Sequence, residues 1–326
     1  MPFVYKVLVT GGAGFIGHHL VKRLLSQRNY KIIVIDNLSN GNKNFLDSSN
    51  RSSSNKFSFY KEDIRNKKSI LDIFNHEGII DTCIHLAAKI NVQDSITNPD
   101  NIIDVNVKGT LNVLEACSSN GVKNFIFGSS AAVYGEPKKL PLSEDEHLLE
   151  PLSPYGASKI AGEALVSSYR RSKKIKNAIS LRFFNVYGEG QNLEYAGVIT
   201  RFAERLSRGS QPIIYGDGKQ TRDFVSVSDV VNAILLAVTE ADKIKISSSH
   251  VFNIGTGIPI TIDDLVHRML RIFGIDLKPI YCKAREGDIK YIYADTKKSK
   301  SILKFIAIEE LESSLKQIIK PSFLQK

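Results

Sequence analysis

The stretch that most constrains the fold lies near the amino terminus, where an apolar segment runs into three glycines. Residues 4–10 form a β-branched apolar run, and Gly11, Gly14 and Gly17 follow with the spacing G-x-x-G-x-x-G. This pattern predicts a strand, a tight turn and a helix whose amino terminus faces a phosphate. Gly11 would permit the turn, Gly14 would let the backbone approach a pyrophosphate, and Gly17 would let the helix pack against the strand. Because the glycines stand between a predicted strand and a predicted helix, a dinucleotide site is favoured over an ordinary glycine-rich turn.

A carboxylate follows at the distance that such a site requires. A second apolar strand over residues 31–35 ends at Asp36, about 20 residues beyond the glycine loop. A carboxylate there accepts hydrogen bonds from the adenosine ribose hydroxyls and repels a 2′-phosphate. The alternative is a solvated aspartate at a strand end. The pattern therefore predicts NAD rather than NADP as the cofactor.

Strand and helix patterns alternate through the first 187 residues, which predicts an α/β fold with a doubly wound parallel sheet of the Rossmann type. Pro99 begins a long amphipathic pattern that predicts one helix to about Ser119. Beyond Gly188 the alternation ends, which predicts a smaller, partly interleaved C-terminal substrate domain. We expect an NAD-binding domain over residues 1–187, to which a strand at 250–255 returns, and a substrate domain over 188–326.

Composition excludes several other classes of protein. The net charge of +10 invites a nucleic-acid hypothesis, but the basic residues are dispersed and the cluster at residues 170–174 lies at a predicted helix end, where cations complement the helix dipole. The apolar runs are too short to span a membrane, and no signal-peptide pattern is present. Three widely separated cysteines indicate neither disulfides nor a metal site. We expect a cytoplasmic protein that binds neither nucleic acid, membrane nor metal.

The strongest catalytic candidates are a tyrosine and a lysine one helical turn apart. Tyr155 and Lys159 stand at i and i+4, on one face of a predicted helix. A nearby ammonium would lower the pKa of the phenol and make it a usable general acid and base. Ser130 follows a predicted strand whose carboxyl end is where ligands gather, so its hydroxyl would bond a substrate oxygen or only cap the strand. His18, His19 and His85 lack partners at metal-ligand spacing.

Together these residues resemble the extended short-chain dehydrogenase/reductase family over essentially the whole chain. The matching motifs occur in the family's order at Gly11–Gly17, Asp36–Ser39, Asp63–Ile64, His85–Ala88, Asn106–Thr110, Ser129–Gly135, Ser153–Lys159 and Arg182–Gly188. The resemblance implies that NAD is bound by Gly11, Gly14, Phe15, Ile16, Gly17, Asp36, Asn37, Asp63, Ile64, Leu86, Ala87, Ala88, Asn106, Tyr155 and Lys159. It also implies a homodimer built on the helices that begin at Pro99 and Pro154.

Within that family the chain is most similar to the nucleotide-sugar 4-epimerases. The resemblance implies that Tyr155 takes the proton of the sugar 4-hydroxyl while the C4 hydride passes to NAD, and that the 4-keto sugar turns over before the hydride returns. Lys159 would bind the nicotinamide ribose, and Ser130 would hold the 4-oxygen. The 4,6-dehydratases carry Thr-Asp-Glu where this chain has Ser130, Ala131 and Ala132, and the decarboxylating subfamily usually has Glu at the position of Ala132. Both reactions are therefore disfavoured.

The substrate's nucleotide is assigned by the same resemblance to the C-terminal region. Asn185, Arg222, Arg285 and Asp288 match positions that hold a diphosphate and a ribose, although each arginine has an acidic neighbour as an alternative partner. Ile292 matches a position beside the sugar C2 substituent, or is a core residue. The expected reaction is C4 epimerisation of a UDP-hexose, UDP-glucose/UDP-galactose. The alternatives are UDP-N-acetylhexosamine or UDP-glucuronate as substrate, or a non-catalytic NAD-binding regulator, which typically lacks the tyrosine or the lysine.

Overall fold

The computed structural model of the chain describes residues 5–27, 29–44, 46, 56–145, 148–192, 197–244, 249–284 and 289–323. Two compact units are built from interleaved segments. The first contains Met1–Val133, Ser153–Arg182 and Val231–Phe252, and the second contains Tyr134–Leu152, Phe183–Val230 and Asn253–Lys326. Sequence analysis assigned residues 1–187 to one domain, whereas residues 134–152 and 183–187 belong to the second unit. Local hydrophobic patterns find strands and helices but do not reveal which core a crossing segment joins.

A seven-stranded sheet dominates the described part of the chain. Its strands are β1 (Tyr5–Thr10), β2 (Tyr30–Ile35), β3 (Phe57–Tyr60), β4 (Thr82–His85), β5 (Asn124–Ser130), β6 (Asn177–Phe183) and β10 (Val251–Ile254). They lie in the order β10-β6-β5-β4-β1-β2-β3, and the pairs β1–β2, β1–β4, β2–β3 and β4–β5 are all parallel. This order confirms the predicted Rossmann-type fold.

Several of the helices that accompany this sheet begin where the sequence places capping residues or prolines. Asn66 caps the helix at Lys67–Glu77, Ser153 caps the one at Pro154–Arg171, and each side chain accepts a bond from a backbone amide of the first turn. The helices are α1 (Phe15–Leu25), α2 (Lys67–Glu77), α3 (Val92–Thr97), α4 (Pro99–Ile103), α5 (Thr110–Ser119), α6 (Pro154–Arg171) and α8 (Val227–Glu240). Among the described residues, no helix is both long and apolar enough to cross a membrane.

The single helix predicted from Pro99 to Ser119 is wrong in one respect. Residues Asp104–Gly109 form a π-helical segment between α4 and α5. A π-turn inserts an extra residue into the helical repeat, and such segments are frequent at functional sites. Here it carries Asn106, which is 2% exposed. Periodicity did not reveal this segment because apolar residues continue on both sides of it.

The second unit has its own small sheets and core. Its elements are β7 (Asn185–Tyr187), α7 (Val198–Ser207), β8 (Ile213–Tyr215), β9 (Thr221–Ser226), β11 (Pro259–Thr261), α9 (Ile262–Phe273), β12 (Ile280–Cys282) and α10 (Leu311–Phe323). One sheet has the order β11-β9-β7, with β7 and β9 parallel and β9 and β11 antiparallel. The core includes the buried side chains of Phe202, Ile214, Phe224 and Met269.

Candidate active site

The glycine loop lies between the end of β1 and the start of α1, and its geometry fits a dinucleotide. Gly11 has φ of +71°, and a Cβ there would lie 2.6 Å from the backbone nitrogen of Ala87. A Cβ on Gly17 would collide with the Gly11 carbonyl, so the helix packs onto the turn. A Cβ on Gly14 would meet only the Gly11 oxygen, at 3.2 Å. The loop therefore keeps room beside Gly14 while it is closely packed at Gly11 and Gly17.

The amino terminus of α1 is suited to an anion. Gly14 is its N-cap, and within the described residues of this helix no side chain caps the first turn and no acidic residue occupies it. The first backbone N–H groups of a helix have no intrahelical acceptor, and the helix dipole favours negative charge there. The residues present therefore fit the pyrophosphate of a dinucleotide.

Asp36 lies at the end of β2 and joins the loop to the second strand. Its carboxylate accepts hydrogen bonds from the backbone N–H of Ala13 at 2.9 Å and of Leu38 at 2.8 Å. Burial raises the pKa of Asp36, and these two amide bonds oppose that rise by stabilising the charged form. One bond reaches each oxygen, so both oxygens keep a lone pair for a ribose hydroxyl.

The end of β3 brings two more predicted cofactor residues together. The Asn37 amide donates to Asp63 at 2.8 Å, and Arg65 bonds the same carboxylate through Nε at 3.0 Å and a terminal nitrogen at 2.9 Å. The hydrogen bond from Arg65 is the largest cause that holds the pKa of Asp63 at about 2. The Ile64 side chain instead belongs to the apolar core of the first unit.

The catalytic candidates come together where β5 ends beside α6. Tyr155 and Lys159 lie one turn apart on α6, and both side chains are buried, at 9% and 4% exposed. The Tyr155 hydroxyl is hydrogen-bonded to the Ser130 side chain. Lys159 Nζ donates to the Gly128 carbonyl at 2.8 Å and lies 5.9 Å from the centre of the Tyr155 ring. A phenol, a hydroxyl and an ammonium thus share one desolvated site.

The acid–base balance of this site differs from the sequence-based expectation. Burial raises the pKa of Tyr155, and the bond to Ser130 only partly offsets the rise. Burial also lowers the pKa of Lys159 to about 8. The expected depression of the tyrosine pKa by the lysine is therefore not observed, because desolvation penalises both charged forms. The hydrogen bond of Lys159 also goes to a backbone carbonyl, and not to the phenol.

Asn106 connects the loop after β4 to the catalytic helix. Its oxygen accepts from the Lys89 amide at 2.8 Å, and its nitrogen donates to the Lys89 carbonyl and the Ser158 hydroxyl, both at 2.9 Å. Ser158 donates in turn to the Tyr155 carbonyl at 2.7 Å. With three bonds made inside the protein, Asn106 retains one acceptor position toward a cofactor.

His85, which lacks partners at metal-ligand spacing in the sequence, is a fully buried structural link. Its ring nitrogens bond Thr10 at 2.6 Å and Thr110 at 2.9 Å, and Thr110 donates to the Asn106 carbonyl at 2.5 Å. Burial lowers the pKa of His85 to about 3, so the ring is neutral. Because Thr110 donates its only proton to Asn106, it accepts from Nε2–H, and Nδ1 accepts from Thr10. The link fixes β1, β4 and the π-helical segment together.

Two of the predicted nucleotide residues, Asn185 and Arg222, lie on neighbouring strands of one sheet in the second unit. Asn185 is exposed at the start of β7 and pairs in register with Phe224 of β9. Arg222, also on β9, donates to the Thr221 carbonyl at 2.8 Å. Ile292 is 6% exposed. Arg285 and Asp288 lie outside the described residues. The described part of the chain contains no cluster of side chains that could hold a metal ion.

Asp223, the acidic neighbour with which Arg222 could pair, makes four hydrogen bonds to other groups. Its carboxylate accepts from the Thr256 hydroxyl at 2.7 Å, the Thr256 amide at 2.8 Å, the Gly257 amide at 2.9 Å and the Ala294 amide at 3.1 Å. Four bonds of this kind saturate a carboxylate. Asp223 therefore fixes the segments around Thr256 and Ala294.

Sequence reasoning missed a buried ion pair behind the catalytic residues. Glu163 of α6 accepts two bonds from Arg182 of β6, at 2.9 and 2.7 Å, and one from the Ser129 hydroxyl at 2.5 Å. The available signal was the spacing of Glu163, which continues the i, i+4 series of Tyr155 and Lys159 by one more turn.

Comparisons with known proteins agree with this geometry. Residues 7–255 match the family described as the NAD dependent epimerase/dehydratase family. A relative from Methanocaldococcus jannaschii named "Putative UDP-glucose 4-epimerase" is 43% identical over 298 residues, which cover 91% of this chain and 92% of the relative.

Solved structures are similar over nearly the whole chain. A UDP-N-acetylglucosamine 4-epimerase from Methanobrevibacter ruminantium, in complex with UDP-N-acetylmuramic acid, has a TM-score of 0.89 at 33% identity and covers 99% of this chain and 100% of its own. A UDP-glucose 4-epimerase from Thermotoga maritima, solved with UDP-glucose, has a TM-score of 0.87 at 35% identity, with 97% of both chains covered.

Proposed function

Because this chain belongs to the NAD dependent epimerase/dehydratase family, we propose that it is an NAD-dependent UDP-sugar 4-epimerase whose preferred pair is UDP-glucose and UDP-galactose. The observation that carries the proposal is the buried Ser130–Tyr155–Lys159 arrangement, which supplies a proton carrier and a fixed cation in the unit that contains the glycine loop. Relatives named for UDP-glucose 4-epimerisation support the choice of reaction.

The roles of the three side chains follow from their chemistry. Bound NAD would accept the hydride of sugar C4 and return it to the opposite face of the resulting 4-keto sugar. Tyr155 takes the 4-hydroxyl proton as a phenolate and returns it in the second half of the reaction. Ser130, bonded to the Tyr155 hydroxyl, holds the 4-oxygen at the proton-transfer position. Lys159 would bind the nicotinamide ribose and would place a positive charge near the phenolate, the form of Tyr155 that burial disfavours.

Dehydration, the other reaction in the family's description, is disfavoured by the two residues that follow Ser130. Expelling water across C5–C6 requires an acid and a base beside the sugar. The two residues after Ser130 are Ala131 and Ala132, in a short 3₁₀ turn, and neither side chain carries a proton donor or acceptor. Epimerisation needs only the tyrosine and the redox cofactor, so it is the reaction that these residues favour.

The nucleotide half of the substrate is assigned to residues of the second unit. Arg222 and Arg285 would bind the diphosphate, since guanidinium groups bond phosphate oxygens in pairs, with Asn185 beside them and Asp288 on the ribose hydroxyls. The alternative role, a pair between Arg222 and its neighbour Asp223, is disfavoured by the four bonds that Asp223 makes to other groups.

The proposed reaction is tested by proton NMR of the purified protein, incubated separately with UDP-glucose, UDP-galactose, UDP-N-acetylglucosamine and UDP-glucuronate. We expect the C4 epimer to appear with the first two sugars without added cofactor. Product with a dehydrated or decarboxylated sugar, or no product from any of the four, would contradict the proposal.

The sugar preference is predicted to depend on Ile292. Its β-branched side chain is stiff, so an N-acetyl group at C2 would have to displace a branch that cannot rotate away. Ile292→Ser should raise activity on the N-acetylated pair relative to UDP-glucose by roughly ten-fold, and Ile292→Tyr should lower it. Ile292→Val, which keeps the branch, is the matched control. A wild-type preference for N-acetylated sugars, or a ratio that neither variant changes, would refute the assignment.

Cofactor preference is predicted to depend on the Asp36 charge. The protein should purify with NAD(H), and Asp36→Ala should reduce its preference for NAD over NADP by roughly ten-fold or more, because a hydrogen bond to a charged acceptor and a repulsion are both lost. Asp36→Asn keeps an acceptor for Ala13 or Leu38, so it separates the charge from the support of the turn. The measurement is the amount of NAD(H) and NADP(H) released from the denatured protein. NADP as the native occupant would contradict the predicted preference for NAD.

A homodimer built on the helices that begin at Pro99 and Pro154, and a cytoplasmic location, complete the proposal. Ile103, on the first of these helices, is 44% exposed and would be covered in such a dimer.

A further inference from the structure

Helix α6 contacts the end of β5 through three polar side chains spaced one turn apart. Tyr155 bonds Ser130, Lys159 donates to the carbonyl of residue 128, and Glu163 accepts from the Ser129 hydroxyl at 2.5 Å. The three partners are consecutive residues of the strand. The helix thus fixes the strand end that carries the catalytic serine at three successive points, and Glu163 is the member furthest along the helix from Tyr155.

The same carboxylate stands between two buried cations. Glu163 is 7% exposed, and its partner Arg182 and its helix neighbour Lys159 are 3% and 4% exposed. Arg182 bonds both carboxylate oxygens, while the electrostatic attraction of Glu163 also reaches Lys159. Within the described contacts, one carboxylate therefore stabilises two cations in a desolvated region. Removing one charge of a buried ion pair leaves the other uncompensated, which is energetically costly.

We propose that Glu163 is a positioning residue for the catalytic site: its carboxylate holds Ser129, and through it Ser130, and balances the buried charges of Arg182 and Lys159. The inference rests on the proposed function only in assigning Lys159 and Ser130 to catalysis. The contacts themselves are independent of the reaction.

The direction of the electrostatic effect follows from the groups that face Lys159. These are Tyr155 and Glu163 on its own helix and neutral His85 on β4. Arg182 of β6 bonds Glu163 directly, so its charge opposes the effect of that carboxylate on Lys159. Burial lowers the pKa of Lys159 to about 8, and Glu163 raises it from a still lower value. Without this carboxylate the ammonium would lose its proton at a lower pH, and the phenolate would lose its stabilising charge.

The test is an NMR titration of the Lys159 side chain in protein labelled with ¹³C at the lysine ε-carbon, with the resonance assigned by its loss in Lys159→Met. Glu163→Gln should lower the pKa of Lys159 by roughly one unit, and Arg182→Gln should raise it by a similar amount. The double variant should return it toward the wild-type value. Structural damage would not shift the Lys159 pKa in opposite directions in the two single variants and restore it in the double variant. Each single variant that folds therefore tests one predicted direction of the shift.

Two controls complete the experiment. Glu77 is a second buried carboxylate paired with a lysine, Lys31, at 2.6 Å, near the amino ends of the strands. Glu77→Gln should leave the Lys159 titration unchanged. Ser129→Ala keeps every charge and should also leave the titration unchanged, but lower kcat by roughly ten-fold with little change in KM, because Ser130 loses its support.

The outcomes separate this inference from the proposed function. An unchanged Lys159 pKa in Glu163→Gln, or shifts of one sign in both single variants, would overturn the role of Glu163. The titration needs no sugar turnover, so its result remains interpretable even if the wild-type protein forms no epimer. The absence of an epimer would instead contradict the proposed function.

Discussion

Tyr155→Phe is expected to fold and to retain NAD, yet to lose epimerase turnover by about two orders of magnitude or more, the scale of general acid–base catalysis. The ring would keep its place in the buried site, since only one oxygen is removed and Ser130 remains. What is lost is the group that carries the 4-hydroxyl proton. The measurement is kcat with UDP-galactose, alongside the amount of nucleotide released on denaturation.

The matched control is another buried tyrosine hydroxyl. Tyr134 is 2% exposed and donates to Asn253 at 2.7 Å in the second unit. Tyr134→Phe should cost about 1 kcal/mol of unfolding free energy, the usual value of a hydrogen bond, and leave kcat within a few-fold of wild type. Near-normal epimerisation by Tyr155→Phe would eliminate the proposed mechanism. An equal loss in both variants would indicate a general effect of removing a buried hydroxyl.

The sequence predicted those parts of the site that depend on neighbouring residues. Spacing along one or two elements determines three of these features: the turn between β1 and α1, the aspartate that follows β2, and the shared helical face of Tyr155 and Lys159. The local chain decides these features. The parallel order of the main sheet followed from the alternation of strand and helix patterns in the same way.

What the sequence did not predict depends on contacts between distant segments. The pair between Glu163 and Arg182 joins a helix to a strand, and the fourfold bonding of Asp223 gathers residues up to 71 positions away. The direction of the Tyr155 pKa was also mistaken, because spacing reveals a nearby cation but not the extent of burial. Asn106 was assigned to the cofactor, although most of its bonding capacity is used inside the protein.

Two glycine variants are expected to separate the folding role of the loop from its binding role. Gly17→Ala would drive a methyl group into the Gly11 carbonyl and to 2.7 Å from the Gly12 Cα. Because both are backbone groups of a tight turn, α1 would have to move away from β1, at a cost on the order of 1–3 kcal/mol or more. We expect a markedly lower melting temperature, with or without added NAD.

Gly14→Ala should behave differently. A methyl group there meets only the Gly11 oxygen at 3.2 Å, which a shift of a few tenths of an ångström relieves, so the melting temperature without added NAD should stay near that of the wild type stripped of cofactor. The methyl group would occupy the space through which a pyrophosphate approaches the first amides of α1. NAD content on purification should therefore fall by roughly ten-fold or more, and the stabilisation by added NAD, which grows as RT ln(1 + [NAD]/Kd), should largely disappear. Full NAD content in Gly14→Ala would mean that the loop does not hold the pyrophosphate. An unchanged melting temperature in Gly17→Ala would mean that the close contact of α1 with the turn is not required for folding, and it would leave the binding role of the loop to be decided by Gly14→Ala.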